Sequence, residues 1–200
     1  MLTLYDAARC PYCARVRIVL AEKAVPYETV VVDLDERPSW IYDLNASGRV
    51  PVLDDDGLVL PESRVLIEYL DERFPEPPLL AADASARARV RLLLERFDEN
   101  LGNAYYGLRR EPSSDSARDA LEAKLDALDD VVARQPYLSG REYGLADCAY
   151  VPWLFRAEAG LGLDVRARPA LAAWLERLEE RPAIAAERAL VGTAQQQVKS

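Results

Sequence analysis

The sequence predicts an α/β half followed by an all-helical half, and three observations carry that prediction. Residues 2–74 alternate short apolar or β-branched runs with amphipathic ones, in the order β-α-β-α-β-β-α. Pro75-Glu76-Pro77-Pro78 then breaks the pattern. Beyond it every apolar run recurs at helical spacing. We therefore expect an α/β domain over residues 1–75, a connection over 76–83 and a helical bundle over 84–200.

The elements follow in order. Leu2 to Tyr5 reads as a strand, and Val16, Val19 and Leu20 set the apolar face of a helix from Tyr12 to about Ala24, ended by Pro26. Tyr27 to Val32 is β-branched and apolar, which predicts a buried strand. An acidic loop leads to a short helix over 39–44 with Ser39 as its expected cap. Val50 to Leu53 and Leu58 to Leu60 flank Asp54-Asp55-Asp56-Gly57, a hairpin turn. Pro61-Glu62-Ser63 opens a helix to Phe74. A parallel βαβ unit, a hairpin and a closing helix fit a mixed sheet covered on both faces.

In the second half, Val90, Leu93, Leu94, Phe97 and Leu101 form one stripe, and Leu121, Leu125, Leu128 and Val132 another. Leu145 to about Glu158 is apolar enough to be buried, with a kink expected at Pro152. Leu171, Trp174, Leu175 and Leu178 mark a further helix, and a short last one is expected from Ala183 to Leu190. Residues 195–200 have no apolar pattern and are expected to fray.

Composition narrows the chemistry. Half of the 200 residues are hydrophobic and 30% are charged, as in ordinary globular proteins. A net charge of −9 disfavours nucleic acid as a ligand, because phosphate contacts need a basic surface. No apolar run reaches the ~18 residues of a membrane span, and the start lacks the layout of a secretory signal, so a cytoplasmic location is expected. Histidine is absent, which excludes Ser-His-Asp and Cys-His catalysis and histidine-ligated metals. No metal is expected. Three cysteines argue against a disulfide-stapled fold.

Two of them stand in Cys10-Pro11-Tyr12-Cys13, at a strand-to-helix junction. Unpaired N–H groups and the positive end of the helix dipole favour a thiolate there, and Arg9, Arg15 and Arg17 add positive charge. Pro11 suits the first helical position. Cys10 is the candidate nucleophile, against the alternative of a small buried hydrophobe. Cys13, one turn on, is a candidate resolving thiol or an uninvolved helix residue. Cys148 falls on the buried helix and reads as packing.

Four features together resemble the cytosolic glutathione S-transferases of the cysteine, or omega and glutaredoxin-like, type. They are Cys10-Pro11-Tyr12-Cys13, Arg49-Val50-Pro51-Val52-Leu53, Pro61-Glu62-Ser63 and Tyr143-Gly144-Leu145-Ala146-Asp147. The resemblance implies a thioredoxin-like first domain, glutathione as co-substrate, a disulfide or electrophilic second substrate, and a homodimer. It implies a cis Pro51 beside Val50, where the backbone pairs with the cysteinyl part of glutathione; the bland alternative is a strand start. Glu62 and Ser63 would hold the γ-glutamyl end, where plain helix capping is the alternative. Arg37 and Arg49 are both candidates for the glycyl carboxylate, and either could be simply solvated. Tyr105, Tyr106 and Arg109 are candidates for a second-substrate pocket, and Tyr5 is a rival to Cys10. Asp147 is expected to be structural, with Gly144 standing where the family usually places a Ser or Thr cap.

A second resemblance is to bacterial stringent starvation protein A. It rests on residues 16–23, on 62–64 with 68–75, and on Asp147-Cys148. It implies a transferase fold that acts by binding RNA polymerase rather than by catalysis. That regulator is the alternative; the leading reading is an enzyme of glutathione-dependent thiol–disulfide exchange, and a host without glutathione would supply another thiol.

Overall fold

The computed structural model describes residues 1–198 and consists of two compact units, residues 1–78 and the described residues from 79 onward. The first holds a four-stranded sheet in the order β2-β1-β3-β4. Strand β1 (Leu2–Asp6) runs parallel to β2 (Tyr27–Val31), pairing Leu4 with Thr29. Strand β3 (Val52–Asp55) lies antiparallel to β1, pairing Leu4 with Leu53, and β4 (Leu58–Pro61) closes the hairpin.

The hairpin explains itself locally. Asp55 pairs with Leu58, leaving Asp56-Gly57 as a two-residue turn with both φ angles positive, 49° and 94°. The Asp54 carboxylate accepts the Gly57 N–H at 2.7 Å, which fixes the turn from the side.

Helix α1 (Pro11–Glu22) returns the chain from β1 to β2, and α3 (Ser63–Arg73) packs against it. Their shared core takes Val16, Val19, Leu20, Leu66, Ile67 and Leu70, all fully buried. Each such side chain contributes about 1.5–3 kcal/mol by leaving water. Lys23, at the end of α1, reaches Asp71 and the Pro77 carbonyl, both at 2.5 Å. That buried pair fixes where the first unit ends.

Three expectations need correction here. Strand β2 is an edge strand, and Val31 is 77% exposed. β-branched residues mark a strand but do not say how many neighbours it has. The short helix α2 (Ile41–Leu44) is preceded by Trp40, and Ser39 offers its backbone carbonyl to the Tyr42 N–H rather than a side-chain cap. The last helix, α9 (Pro182–Val198), is longer than the apolar pattern predicted. Its backbone runs through residues 195–198, where fraying was expected; Lys199 and Ser200 lie outside the described residues.

The second unit is helical. Helix α4 (Ala84–Glu95) starts at Asp83, whose carboxylate accepts the Ala86 N–H at 2.7 Å. A π-helical turn over Asp98–Gly102 follows, then α5 (Asn103–Arg110). Val90, Leu94, Phe97, Leu101, Tyr105 and Leu108 form the buried line through this region. Helix α6 (Asp115–Val132) is capped by Ser114. Helix α7 (Leu145–Leu161) is buried on all sides over most of its length, and Pro152 lies inside it without ending it. Gly162, at φ 64°, ends it. Helix α8 (Pro169–Glu179) precedes α9.

The start of α7 is organised by Asp147, which is fully buried. Its two oxygens accept N–H groups from Leu138 (2.8 Å), Ser139 (3.2 Å) and Gly144 (3.0 Å), and from the Trp174 ring at 2.8 Å. Burial nevertheless pushes its pKa up, the four donors only partly offsetting the loss of water. A Cβ at Gly144 would lie 2.4 Å from the Leu79 carbonyl oxygen and 2.9 Å from the Ser139 hydroxyl. That hydroxyl accepts the Ala146 N–H at 3.1 Å, so Ser139 performs from five residues upstream the capping that Gly144 cannot.

Candidate functional site

Cys10 occupies the N-cap position of α1, with extended φ and ψ of −83° and 117° and Pro11 as the first helical residue. Its amide is tied to the Ala7 carbonyl at 2.9 Å, which holds the residue at the start of the helix. The residue is 8% exposed. It is close to the surface but shielded from bulk water. Its thiol donates to the Val50 carbonyl at 3.8 Å, within the reach of a sulfur donor.

Cys13 is fully buried. Burial, then the hydrogen bond and charge of Cys10, push its thiol well above the ordinary range. At neutral pH Cys13 is therefore a protonated donor toward Cys10 and a poor attacking group. Cys148 is also fully buried, with its sulfur 3.0 Å from the Tyr143 hydroxyl.

The arginines around the motif have partners of their own. Arg17 reaches Asp6 at 2.5 Å and the carbonyls of Ala7 and Ala8, bracing the loop that carries Cys10. Arg9 meets Asp35 at 2.7 Å, which raises its pKa, with Cys10 among the further negative neighbours. Arg15, 3% exposed, donates to the Ser63 hydroxyl at 3.3 Å. Nothing in the one-dimensional pattern announced the Arg17–Asp6 and Arg15–Ser63 pairs, since both join residues on different elements.

The segment facing Cys10 is held from below. The Val50–Pro51 peptide bond is cis, as the family resemblance implied. Asn45 fixes the approach: its amide donates to the Arg49 carbonyl at 2.9 Å, and its side-chain oxygen accepts the Ser47 N–H at 3.1 Å. Gly48 turns with φ 64°, and a Cβ there would meet the Tyr42 ring at 2.5 Å. Val50, Val52, Ala7, Cys10 and Cys13 share one buried cluster, with Tyr5 and Tyr12 packed against it. Tyr5 packs against Trp40 with ring centroids 5.6 Å apart and the planes tilted by 51°.

Glu62 and Ser63 lie where α3 begins. Glu62 is exposed and sits at φ 73° and ψ 101°, outside the comfortable regions for a residue with a Cβ. Ser63 is the first helical residue and is buried. The side chains of Arg37 and Arg49 are exposed. In the second unit Tyr105 is buried and stacks edge-on against Tyr106 at 5.2 Å, with the exposed Arg109 6.0 Å from the Tyr106 ring. A cavity of about 470 Å³ lies in this unit, between α4 and α6; it is lined by Asn100 and Leu93 but by none of these three residues. Among the described residues no cluster of carboxylates or thiols could hold a metal ion, and no helix is long and apolar enough to cross a membrane.

A small mixed sheet with a thiol at the first helix N-terminus, joined to a helical bundle, defines a two-unit thiol protein. The chain belongs to the glutathione S-transferase family: residues 4–78 match its N-terminal domain and residues 82–177 its C-terminal domain. It is 38% identical to the stringent starvation protein A homolog of Haemophilus influenzae, over 90% of this chain and 87% of that protein. It is 30% identical to glutathione S-transferase omega-1 of Mus musculus, over 90% of this chain and 78% of that protein. Among solved structures, a glutathione S-transferase from Methylobacillus flagellatus with glutathione bound superposes with a TM-score of 0.82 at 26% identity, covering 94% of this chain and 98% of that one.

Proposed function

We propose that this protein is a glutathione-dependent thiol–disulfide oxidoreductase with Cys10 as its nucleophile. The observation that carries this reading is the placement of Cys10 as N-cap of α1, directly beside the Val50–cis-Pro51 segment. Helix-terminal N–H groups stabilise a thiolate at that position without a histidine. Glutathione is held with its γ-glutamyl end at Glu62 and Ser63 and its cysteinyl backbone along Val50. Its glycyl carboxylate meets Arg37 or Arg49.

The chemistry is two exchanges. The Cys10 thiolate attacks the glutathionyl sulfur of a mixed disulfide; a Cys10–glutathione disulfide forms, and the other thiol leaves and takes a proton. The thiolate of a second glutathione attacks that disulfide, releasing oxidised glutathione and regenerating Cys10. Cys13 takes no electrons in this cycle. Its raised pKa keeps it protonated beside the active sulfur.

Treatment with glutathione disulfide followed by intact mass spectrometry tests the reading: wild type gains one glutathione and Cys10→Ser gains none. Turnover of mixed disulfides should exceed conjugation of chlorodinitrobenzene, because a cysteine captures glutathione where a serine or tyrosine would activate it. The reverse order overturns the assignment.

The likeness to the stringent starvation protein A homolog favours a second reading, a non-catalytic regulator that binds RNA polymerase. Retention on glutathione-agarose without capture of polymerase supports the enzyme, and the opposite result supports the regulator. Homodimerisation and a small disulfide or electrophilic substrate belong to the enzymatic reading.

A further inference from the structure

We infer that Arg15 is a positioning residue for the α-carboxylate of the γ-glutamyl group, acting through the Ser63 hydroxyl. The inference rests on the glutathione reading above.

The argument begins with hydrogen-bond direction. A guanidinium has donors and no acceptor, so in the 3.3 Å contact Arg15 Nη1 donates and Ser63 Oγ accepts. A serine at a helix start ordinarily uses that oxygen to accept a main-chain N–H. Here Glu62 holds the N-cap position and Ser63 follows it. With one of its two lone pairs engaged by Arg15, the Ser63 hydroxyl keeps its proton available to donate. An incoming carboxylate is an acceptor only. Arg15 thus biases this hydroxyl toward donating to an anion, at the start of an 11-residue helix whose N–H groups already favour one.

Electrostatics act in the same direction. Arg15 is 3% exposed and Ser63 5% exposed, so a positive charge sits behind the hydroxyl with little water between them. Its field is screened far less than that of a surface arginine. The guanidinium also lies 5.2 Å from the Tyr12 ring centroid, inside the Cys-Pro-Tyr-Cys motif. One side chain on α1 is therefore tied both to the motif that presents the nucleophile and to the residue that opens α3.

The competing role is a strut that merely joins α1 to α3. A strut has no preference among ligands, whereas a carboxylate-positioning residue does. The test compares binding of glutathione with that of 4-aminobutanoyl-cysteinylglycine, which lacks only the γ-glutamyl α-carboxylate. Calorimetry is run on wild type, Arg15→Met and Arg15→Lys, with a melting curve for each. Wild type should prefer glutathione by at least about tenfold, the value of one good charge-assisted hydrogen bond. Arg15→Met should lose about tenfold in glutathione affinity and leave the analogue unchanged, so the preference collapses. Arg15→Lys should fall between the two. In a Ser63→Ala background, Arg15→Met should change the preference no further.

Equal weakening of both ligands, or an intact preference in Arg15→Met, overturns the inference. If Arg15→Met does not fold, a wild-type preference in Arg15→Lys overturns it instead. Failure of wild type to bind glutathione at all overturns the glutathione reading itself, and this inference with it.

Discussion

The Cys10 sulfur lies 3.8 Å from the Val50 carbonyl oxygen, and forty residues of chain separate the two. The contact exists only because β3 lies beside β1, placing the loop before β3 against the turn after β1. In the proposed cycle the same Val50 backbone meets the cysteinyl part of glutathione. The Cys10 thiol therefore already rests against the backbone that the incoming peptide would engage.

Cys10→Ser should reduce mixed-disulfide turnover by at least about 10³-fold, the scale of a lost nucleophile. Cys13→Ser should stay within about threefold of wild type, because the cycle needs one thiol and Cys13 is protonated near neutral pH. Steady-state rates on a glutathionylated peptide check both. A Cys13→Ser protein as dead as Cys10→Ser would require a two-cysteine cycle.

Cys13 also makes stability depend on pH. Its pKa is raised by the fold, while an unfolded thiol titrates near about 8.5. Unfolding therefore releases a proton once the pH exceeds that value. The contribution is fully present below about pH 8.5 and is lost as pH rises toward the folded value. Melting temperatures at pH 7 and pH 10 should fall more for wild type than for Cys13→Ala; parallel losses would refute this.

Glu62 is held at φ 73°, a conformation that costs a non-glycine residue about 1–3 kcal/mol. Glu62→Gly should relieve part of that and leave stability unchanged or raised by about 1 kcal/mol. Glutathione affinity should fall at least tenfold as the carboxylate for the ligand ammonium is lost, by about the strength of one charge-assisted bond. Denaturant unfolding and calorimetry on one preparation separate the two effects. Loss of stability with affinity intact would mark Glu62 as a structural residue.

Asp147→Ala strands three backbone N–H groups and the Trp174 ring N–H in a fully buried site. At roughly 1–3 kcal/mol per unsatisfied group, a loss of at least about 3 kcal/mol is expected. Urea titration measures it. Wild-type stability combined with lost turnover would place Asp147 in the chemistry instead.

Much of the first unit was legible because its signals are local. Asp56-Gly57 between two apolar runs marks a hairpin, and Cys10-Pro11 marks a helix start, each within four residues. What the chain does not display is the neighbourhood of each element. The β-branched run of β2 looks the same at a sheet edge as in its middle, which is why Val31 was expected to be buried. The π turn at Asp98–Gly102 keeps the apolar spacing nearly helical and so leaves little trace. Within the candidate site, Cys10, Val50, Glu62 and Ser63 could be named from motifs. The pairs Arg17–Asp6 and Arg15–Ser63 could not, because salt bridges and hydrogen bonds between elements have no period.

The exchange of roles between Gly144 and Ser139 bears on how this protein can be altered. Serine is a preferred residue at a helix N-cap, so installing it at 144 would look like a routine stabilising change. Here that substitution pushes a Cβ into the Leu79 carbonyl and into the hydroxyl already serving as the cap. It adds a second candidate for a hydrogen bond that has one vacancy. Serine at 144 is thus a destabilising choice in this chain unless the segments carrying Leu79 and Ser139 are moved as well.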